Sequence, residues 1–233
     1  FKNHSYISFN LSDFTYSTDI IWDIIKVGLP ASLSMIVMAV GQGVFNKILV
    51  HISVNTVAAY QVAGRLDMLV FLPIFSIAAS LTTLVGMFYG AKEYGALRYI
   101  IKYGIFSALL ITIISSTIVY TFAGHVVRFF TDDASIVIIA VNFLQIFAFA
   151  YPFISVGITT GRVLQGLGKG LPVLIITIVR VLGVSAPLAL FFVFIMDKTV
   201  EWVWYSMMLS TIVAFGIGLT WLISTLKTLP ASK

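Results

Sequence analysis

The 233-residue chain is 60% hydrophobic and only 10% charged, which excludes a water-soluble globule, whose charged share is roughly a quarter. Its formal net charge of +5 comes from Lys and Arg placed singly between apolar runs, without the stripe or block that a nucleic acid needs, so no nucleic-acid partner is expected and lipid headgroups supply the counter-charge. No cysteine is present, which excludes a disulfide framework, a thiolate metal site and a redox couple.

The chain starts at Phe1, with neither a methionine nor the basic-then-apolar pattern of a signal peptide, and reads as part of a longer polypeptide. Residues 1–26 form a polar lead-in. Within it Ser17 or Thr18 caps a short helix with Ile20, Ile21, Ile24 and Ile25 on one face and Asp19 and Asp23 near its positive end. That pattern resembles an interfacial helix feeding the bilayer, with a plain upstream extension of the first span as the alternative. Six apolar runs follow, at about Val27 to Val50, Val57 to Tyr89, Tyr103 to Ala123, Ser135 to Leu164, Leu171 to Met196 and Trp202 to Leu226. The stretch from Met68 to Ala91 has no charge at all, and at ~1.5 Å per helical residue it covers a ~30 Å hydrocarbon core.

Helices are the only sensible assignment for such runs, because hydrocarbon offers no partner to an unpaired backbone group and the alternation of barrel strands is missing. The expected fold is therefore all-α: a polytopic membrane protein with a six-helix transmembrane bundle over residues 27–227 and a short tail at 228–233. Pro30 and Pro172 are expected in the first turns of their spans, where a missing N–H costs little. Pro73, Pro152 and Pro187 fall inside their spans, where each removes a backbone bond and bends the helix, as a hinge or as a static kink. Ala39 with Gly43, Gly86 with Gly90 and Gly157 with Gly161 have the four-residue spacing of close helix packing. Gly166-Leu-Gly-Lys-Gly170 lacks both the spacing and the preceding strand of a phosphate loop, so it is expected to be a tight turn between helices.

Lys2, Lys26, Lys92, Arg98, Lys102, Lys169, Lys227 and Lys233 fall on the side that carries both termini. The other side has mainly Arg128 and Lys198, each close to acidic residues. By the positive-inside rule both termini are cytoplasmic, in a multi-pass protein of the cell (inner) membrane.

Polar groups inside apolar runs are expensive and point to function by default. Arg180 lies nine residues past Leu171, ~14 Å along the helix and so near mid-membrane. Counting back from Lys92 puts Arg65 and Asp67 at the outer interface, while a tilted or overlong helix brings them deeper and allows an Asp67–Arg180 pair. Gln42 and Asn46 share one helical face, with Lys47 beside them, and Tyr60 and Gln61 stand in the second span; these line an aqueous cavity or hydrogen-bond a neighbouring helix. Asn142 and Gln145 lie in the fourth span, and Arg162 snorkels at its end. No carboxylate is unambiguously buried at mid-membrane, so a cation-coupling site made by this chain alone is not expected. His4, His51 and His125 are isolated, and no nucleophile elbow, zinc motif or facing carboxylate pair occurs, so neither enzyme chemistry nor a metal or other cofactor is expected.

Val57-Ala-Ala-Tyr-Gln-Val-Ala-Gly-Arg-Leu-Asp67, with Phe71-Leu-Pro-Ile-Phe75 and Leu84-Val-Gly-Met-Phe-Tyr-Gly-Ala91, closely resembles the second helix of a repeat in the multidrug and toxic compound extrusion (MATE) family. Val27-Gly-Leu-Pro30, Val163-Leu-Gln-Gly-Leu-Gly168 and Arg180 with Ala186-Pro187 are similar to its first helix, its fourth-to-fifth turn and its fifth helix. The resemblance covers residues 20–227. It implies one lobe, the C-terminal one, of a twelve-helix transporter whose partner is the N-terminal six-helix lobe of the same polypeptide. It further implies exchange of sodium ions or protons for small cationic amphipathic substrates, by rocking of the two lobes between inward-open and outward-open forms. Some members carry acidic coupling residues on the first and fourth helices of this lobe. The approximate counterparts here are Met38 and Ile154, so the resemblance places the coupling ion in the N-terminal lobe, with Arg65, Asp67 and Arg180 in support. A lipid-linked saccharide flippase of the wider superfamily and a non-transporting membrane scaffold are the alternatives.

Overall fold

The computed structural model describes residues 17–230; residues 1–16 and 231–233, with Lys2, His4 and Lys233, lie outside the described residues. Six helices long and apolar enough to cross a membrane run back and forth: α1 (Thr18–Ile52), α2 (Val54–Gly90), α3 (Tyr94–Arg128), α4 (Ala134–Gly166), α5 (Leu171–Ile195) and α6 (Glu201–Lys227). The chain is an all-α, multi-pass membrane bundle. At ~1.5 Å per residue even the 25 residues of α5 extend ~37 Å, so every helix overshoots the ~30 Å hydrocarbon core by more than a turn.

Short polar turns separate the helices. Ser53 ends α1 by donating its N–H to the Leu49 carbonyl, 3.0 Å away, and begins α2 by accepting from the Thr56 N–H at 3.1 Å. One extended residue, φ −170 and ψ 159, therefore serves as both caps. Between α2 and α3, Lys92 has φ 61, and the Glu93 N–H returns to the Phe88 carbonyl at 2.9 Å. Asp133 caps α4, accepting from the Ser135 N–H at 2.8 Å, the Ser135 hydroxyl at 2.6 Å and the Ile136 N–H at 3.4 Å. These three donors, the Ser135 hydroxyl first, hold its carboxyl below the usual aspartate range. The Gly166–Gly170 segment is the tight turn expected: Gly168 has φ 77, and the Lys169 N–H reaches the Leu164 carbonyl at 2.8 Å.

Ser17 does cap a helix, accepting from the Ile20 N–H at 3.5 Å, but that helix is α1 itself. The expected separate interfacial helix is instead the first turns of one continuous 35-residue element. Pro30 is consequently not in a first turn. It is buried well inside α1, and its carbonyl accepts the Ser34 hydroxyl at 2.8 Å. Pro172 does start α5, while Pro73 and Pro152 lie within unbroken helices. Around Pro187 the helix widens into π-helical stretches on both sides, Val179–Ser185 and Phe191–Ile195. The Ala186 N–H reaches five residues back to Val181 just before a proline that has no N–H to give.

The fourth helix is the hub, packed against α2, α3 and α6, while α1 lies chiefly along α5. Trp204, Tyr151 and Phe143 are the largest fully buried side chains. The glycine pairs expected at helix contacts are mostly elsewhere: a Cβ at Gly43, Gly90 or Gly157 would meet nothing within 4 Å. Close approach falls at Gly41, where a Cβ would come within 2.2 Å of Val181, and at Gly166, where it would come within 2.7 Å of the Thr82 carbonyl. Four-residue spacing marks a helical stripe, but only the rotation of each helix decides which stripe faces a neighbour.

Candidate functional site

A cavity of about 570 Å³ opens among α1, α2, α4, α5 and α6. Each helix offers it a band of residues on one side, spaced one, three, four or seven apart. The first helix contributes Met35, Met38 and Gln42, the second Tyr60, Gln61, Gly64 and Asp67, and the fourth Phe143, Phe147 and Ile154. From the fifth come Arg180, Val181 and Ser185, and from the sixth Met207, Ser210 and Thr211.

One wall is aromatic and closely braced. Tyr60 stacks on Trp204 at 5.8 Å with a 14° interplanar angle. Phe143 meets Trp204 edge-on at 4.8 Å and stacks on Phe147 at 4.3 Å. Such rings present a large apolar surface with little conformational freedom to lose, which suits a flat hydrophobic ligand. Ser210 and Thr211 donate their hydroxyls to the Met207 carbonyl at 2.7 and 3.0 Å, so their remaining lone pairs are acceptors on the cavity side.

Asp67 is the only carboxylate among the described residues that lines the cavity. It accepts a hydrogen bond from the hydroxyl of Tyr151, a residue with no solvent exposure midway along α4. Of the two placements the sequence left open, this contact fits the overlong helix: α2 has 37 residues, ~55 Å of helix, and Asp67 meets α4 near that helix's midpoint. Asp67 is not paired with Arg180, however: Asp23–Lys26, at 3.4 Å on the exposed start of α1, is the one ion pair among the described residues. Arg180 lines the cavity without an ionic partner among the described residues.

Of the other sequence candidates, Gln42, Tyr60 and Gln61 line the cavity, and Asn46 stands beside it, accepting from the Gln61 Nε2 at 3.4 Å. Arg65 is exposed and does not line it. Met38 and Ile154, the apolar positions expected where some MATE members carry acids, both do. Arg162 is exposed and donates to Gln165 at 3.2 Å. Asn142 and Gln145 lie on another stripe of α4, in a smaller hollow of about 330 Å³ with Tyr120 and Tyr205. Sequence reasoning missed Tyr151, the aromatic wall and the Met207, Ser210, Thr211 stripe. The last had a visible signal in its three-and-four spacing, whereas Tyr151 had none, since a lone tyrosine in an apolar run is ordinary. No group of three or more His, Cys, Asp or Glu suited to a metal occurs among the described residues.

Comparison with known proteins places these features in context. The family model described as MatE matches residues 30–191. The chain is 28% identical over 167 residues to the probable multidrug resistance protein NorM of Thermotoga maritima, covering 72% of this chain and 36% of that protein. It is 27% identical over 169 residues to the multidrug export protein MepA of Staphylococcus aureus, covering 72% and 37%. It thus matches little more than a third of the length of these curated relatives. A crystal structure of MATE in the straight conformation superposes with a TM-score of 0.90 at 29% identity, covering 97% of this chain and 51% of that one. A transporter of the MOP superfamily from Pyrococcus furiosus, described as having a binding pocket of reverse polarity that suggests a different function, superposes at 0.87 with 30% identity, covering 97% and 51%.

Proposed function

This chain belongs to the MatE family, and from that premise we propose that it is the C-terminal lobe of a twelve-helix antiporter, residues 27–227 forming the lobe and residues 1–26 the linker that reaches it. The whole protein exports amphipathic compounds bearing a cationic group in exchange for sodium ions or protons. The lobes rock so that the cavity faces alternate sides of the cell membrane, with both termini cytoplasmic.

The observation that carries this reading is the open cavity among five helices, with aromatic and methionine walls and a single carboxylate among the described residues. The wall takes the apolar body of a substrate, Asp67 meets its positive group, and Gln42 and Gln61 supply adaptable hydrogen bonds. No covalent step is needed, so the protein works as a transporter rather than an enzyme, and no cofactor beyond the coupling ion is required. Met38 and Ile154, apolar within the cavity, support a coupling acid in the N-terminal lobe. A saccharide flippase would need a strongly cationic cavity for pyrophosphate, and only Arg180 of the three candidate arginines lines this one, opposed by Asp67. A passive scaffold has no use for the cavity.

The test is flux by the complete protein in sealed liposomes under an imposed sodium or proton gradient. Gradient-driven efflux of an organic cation is expected, and the gradient that supports it identifies the ion. No efflux under either gradient rules the reading out.

A further inference from the structure

The second hollow, of about 330 Å³ between α3, α4 and α6, lies on a different side of α4 from the cavity. Asn142, Gln145 and Phe149 line it, three and four residues apart on one helical face, whereas Phe143 and Phe147 turn toward the cavity. Tyr120 of α3 and Tyr205 of α6 complete its rim, each nearly half exposed. Among the described residues no Lys, Arg, Asp or Glu lines it, so its chemistry is uncharged yet rich in hydrogen-bonding groups. The Asn142 Oδ1 is shielded from solvent and has no hydrogen-bond partner among the described residues; turning the amide over would leave its NH2 in the same position. A polar group so placed in an apolar run is costly unless something meets it.

What meets it follows from depth along the helices. With 35 and 33 residues, α3 and α4 are each about 50 Å long, so when centred on a ~30 Å core they extend ~10 Å beyond either face. Tyr120 stands eight residues from the Arg128 end of α3 and Asn142 eight from the Ala134 end of α4, ~12 Å in each case and so at the boundary between headgroups and hydrocarbon. Tyr205, four residues into the shorter α6, reaches the same level. Gln145 lies almost a turn deeper, and Ile146, Phe149 and Met208 continue the lining toward the hydrocarbon. Hydrogen-bonding groups at the boundary with apolar ones below repeat the order of a glycerolipid: head, ester, acyl chain. A phosphate head would sit there with no cation to meet it. We infer that this hollow holds a glycolipid with an uncharged sugar head, its hydroxyls bonded to Tyr120, Asn142 and Tyr205, a glycerol ester carbonyl to Gln145 and one acyl chain along Phe149 and Met208. Such a lipid is resident rather than cargo, because the hollow and the cavity share no lining residue.

Native mass spectrometry reads the preference directly, with the complete protein in detergent offered equimolar monoglucosyl-diacylglycerol, phosphatidylglycerol and phosphatidylcholine of the same acyl chains. The glucosyl lipid should be about tenfold enriched over phosphatidylcholine in the bound population, the scale of one or two hydrogen bonds, and should raise the unfolding temperature. Asn142→Leu should abolish the enrichment and the thermal shift, and Gln145→Leu should reduce both. Without the glycolipid, Asn142→Leu should unfold no earlier than the unmutated protein, because an unmet amide gives way to an apolar group of similar size. Equal retention of the three lipids by the unmutated protein overturns the inference, and is the result expected if water or the other lobe fills the hollow. Preferential retention of phosphatidylglycerol also overturns it, since a charge and not a sugar is then recognised. An enrichment unchanged by both leucine substitutions puts the lipid elsewhere and overturns the assignment equally. Should Asn142→Leu fail to fold, the preference of the unmutated protein and the effect of Gln145→Leu decide the matter.

Discussion

Tyr151 and Asp67 form a polar contact whose two members cannot be exchanged for one another. Tyr151 has no solvent exposure and donates, while Asp67 reaches the cavity and accepts. Tyr151→Phe removes the donor and leaves a carboxylate with no described partner, at a cost of about 1–3 kcal/mol. Thermal unfolding should register this loss. Asp67→Asn keeps an acceptor oxygen for the tyrosine but discards the charge, so stability should change little, while affinity for a cationic dye such as a rhodamine methyl ester, read by fluorescence anisotropy with the complete protein in detergent, falls about tenfold. A cation affinity unchanged by Asp67→Asn contradicts the role given to Asp67. Charge and shape are thus separable at one position, because the amide is nearly isosteric with the acid.

At the scale of the helix, contact is governed by which stripe faces inward. Gly166→Ala drives a methyl toward the Thr82 carbonyl, 2.7 Å from the new Cβ, and backbone cannot swing aside as a side chain can. The substitution should destabilise by about 1–3 kcal/mol. Gly157→Ala meets nothing within 4 Å and removes a flexible residue from a helix interior, so it should be neutral or stabilising by up to about 1 kcal/mol. Thermal unfolding of the two variants compares the contacts directly, and equal effects contradict the packing of α4 on α2. The start of α4 provides a second case. The hydrogen bonds that hold the Asp133 carboxyl below its usual range favour its ionised form. Their stabilisation is present above the unfolded-state pKa and is lost as pH falls through the lower, folded value. The protection of the Ser135 and Ile136 amides, exchange being referred to its intrinsic rate at each pH, should fall in that acid window, and Asp133→Ala should abolish this change.

For the molecule as a whole, many large apolar side chains on the helices are exposed. The most hydrophobic window of α3 is only 11% buried and that of α1 only 17%, so lipid, and for α1 the proposed second lobe, must cover the rest. The absence of cysteine allows topology to be tested with single introduced thiols. Glu93→Cys, in the turn between α2 and α3, should react with an impermeant maleimide only from the cytoplasmic side, and Lys198→Cys, between α5 and α6, only from the outside. Reversed labelling contradicts the assigned orientation. In sealed liposomes the isolated chain should transport nothing, because alternating access requires a second body to move against.

The number of helices, their places and the turns between them were legible in the sequence, since hydrocarbon forces each spanning segment to satisfy its own backbone and so writes a long apolar run for every crossing. The residues able to furnish a site were legible for a related reason: Gln42, Tyr60, Gln61, Asp67 and Arg180 are costly in such runs and therefore conspicuous. What only the tertiary structure decided was their company. Asp67 meets Tyr151 rather than Arg180, Asn46 stops beside the cavity and Arg65 outside it, and the close glycines are Gly41, Gly104, Gly166 and Gly170. Those outcomes depend on how far each helix slides along the membrane normal and how it turns about its axis. An apolar run longer than the bilayer is thick fixes neither quantity; the packing of α2, α5 and α6 with the other helices fixes both.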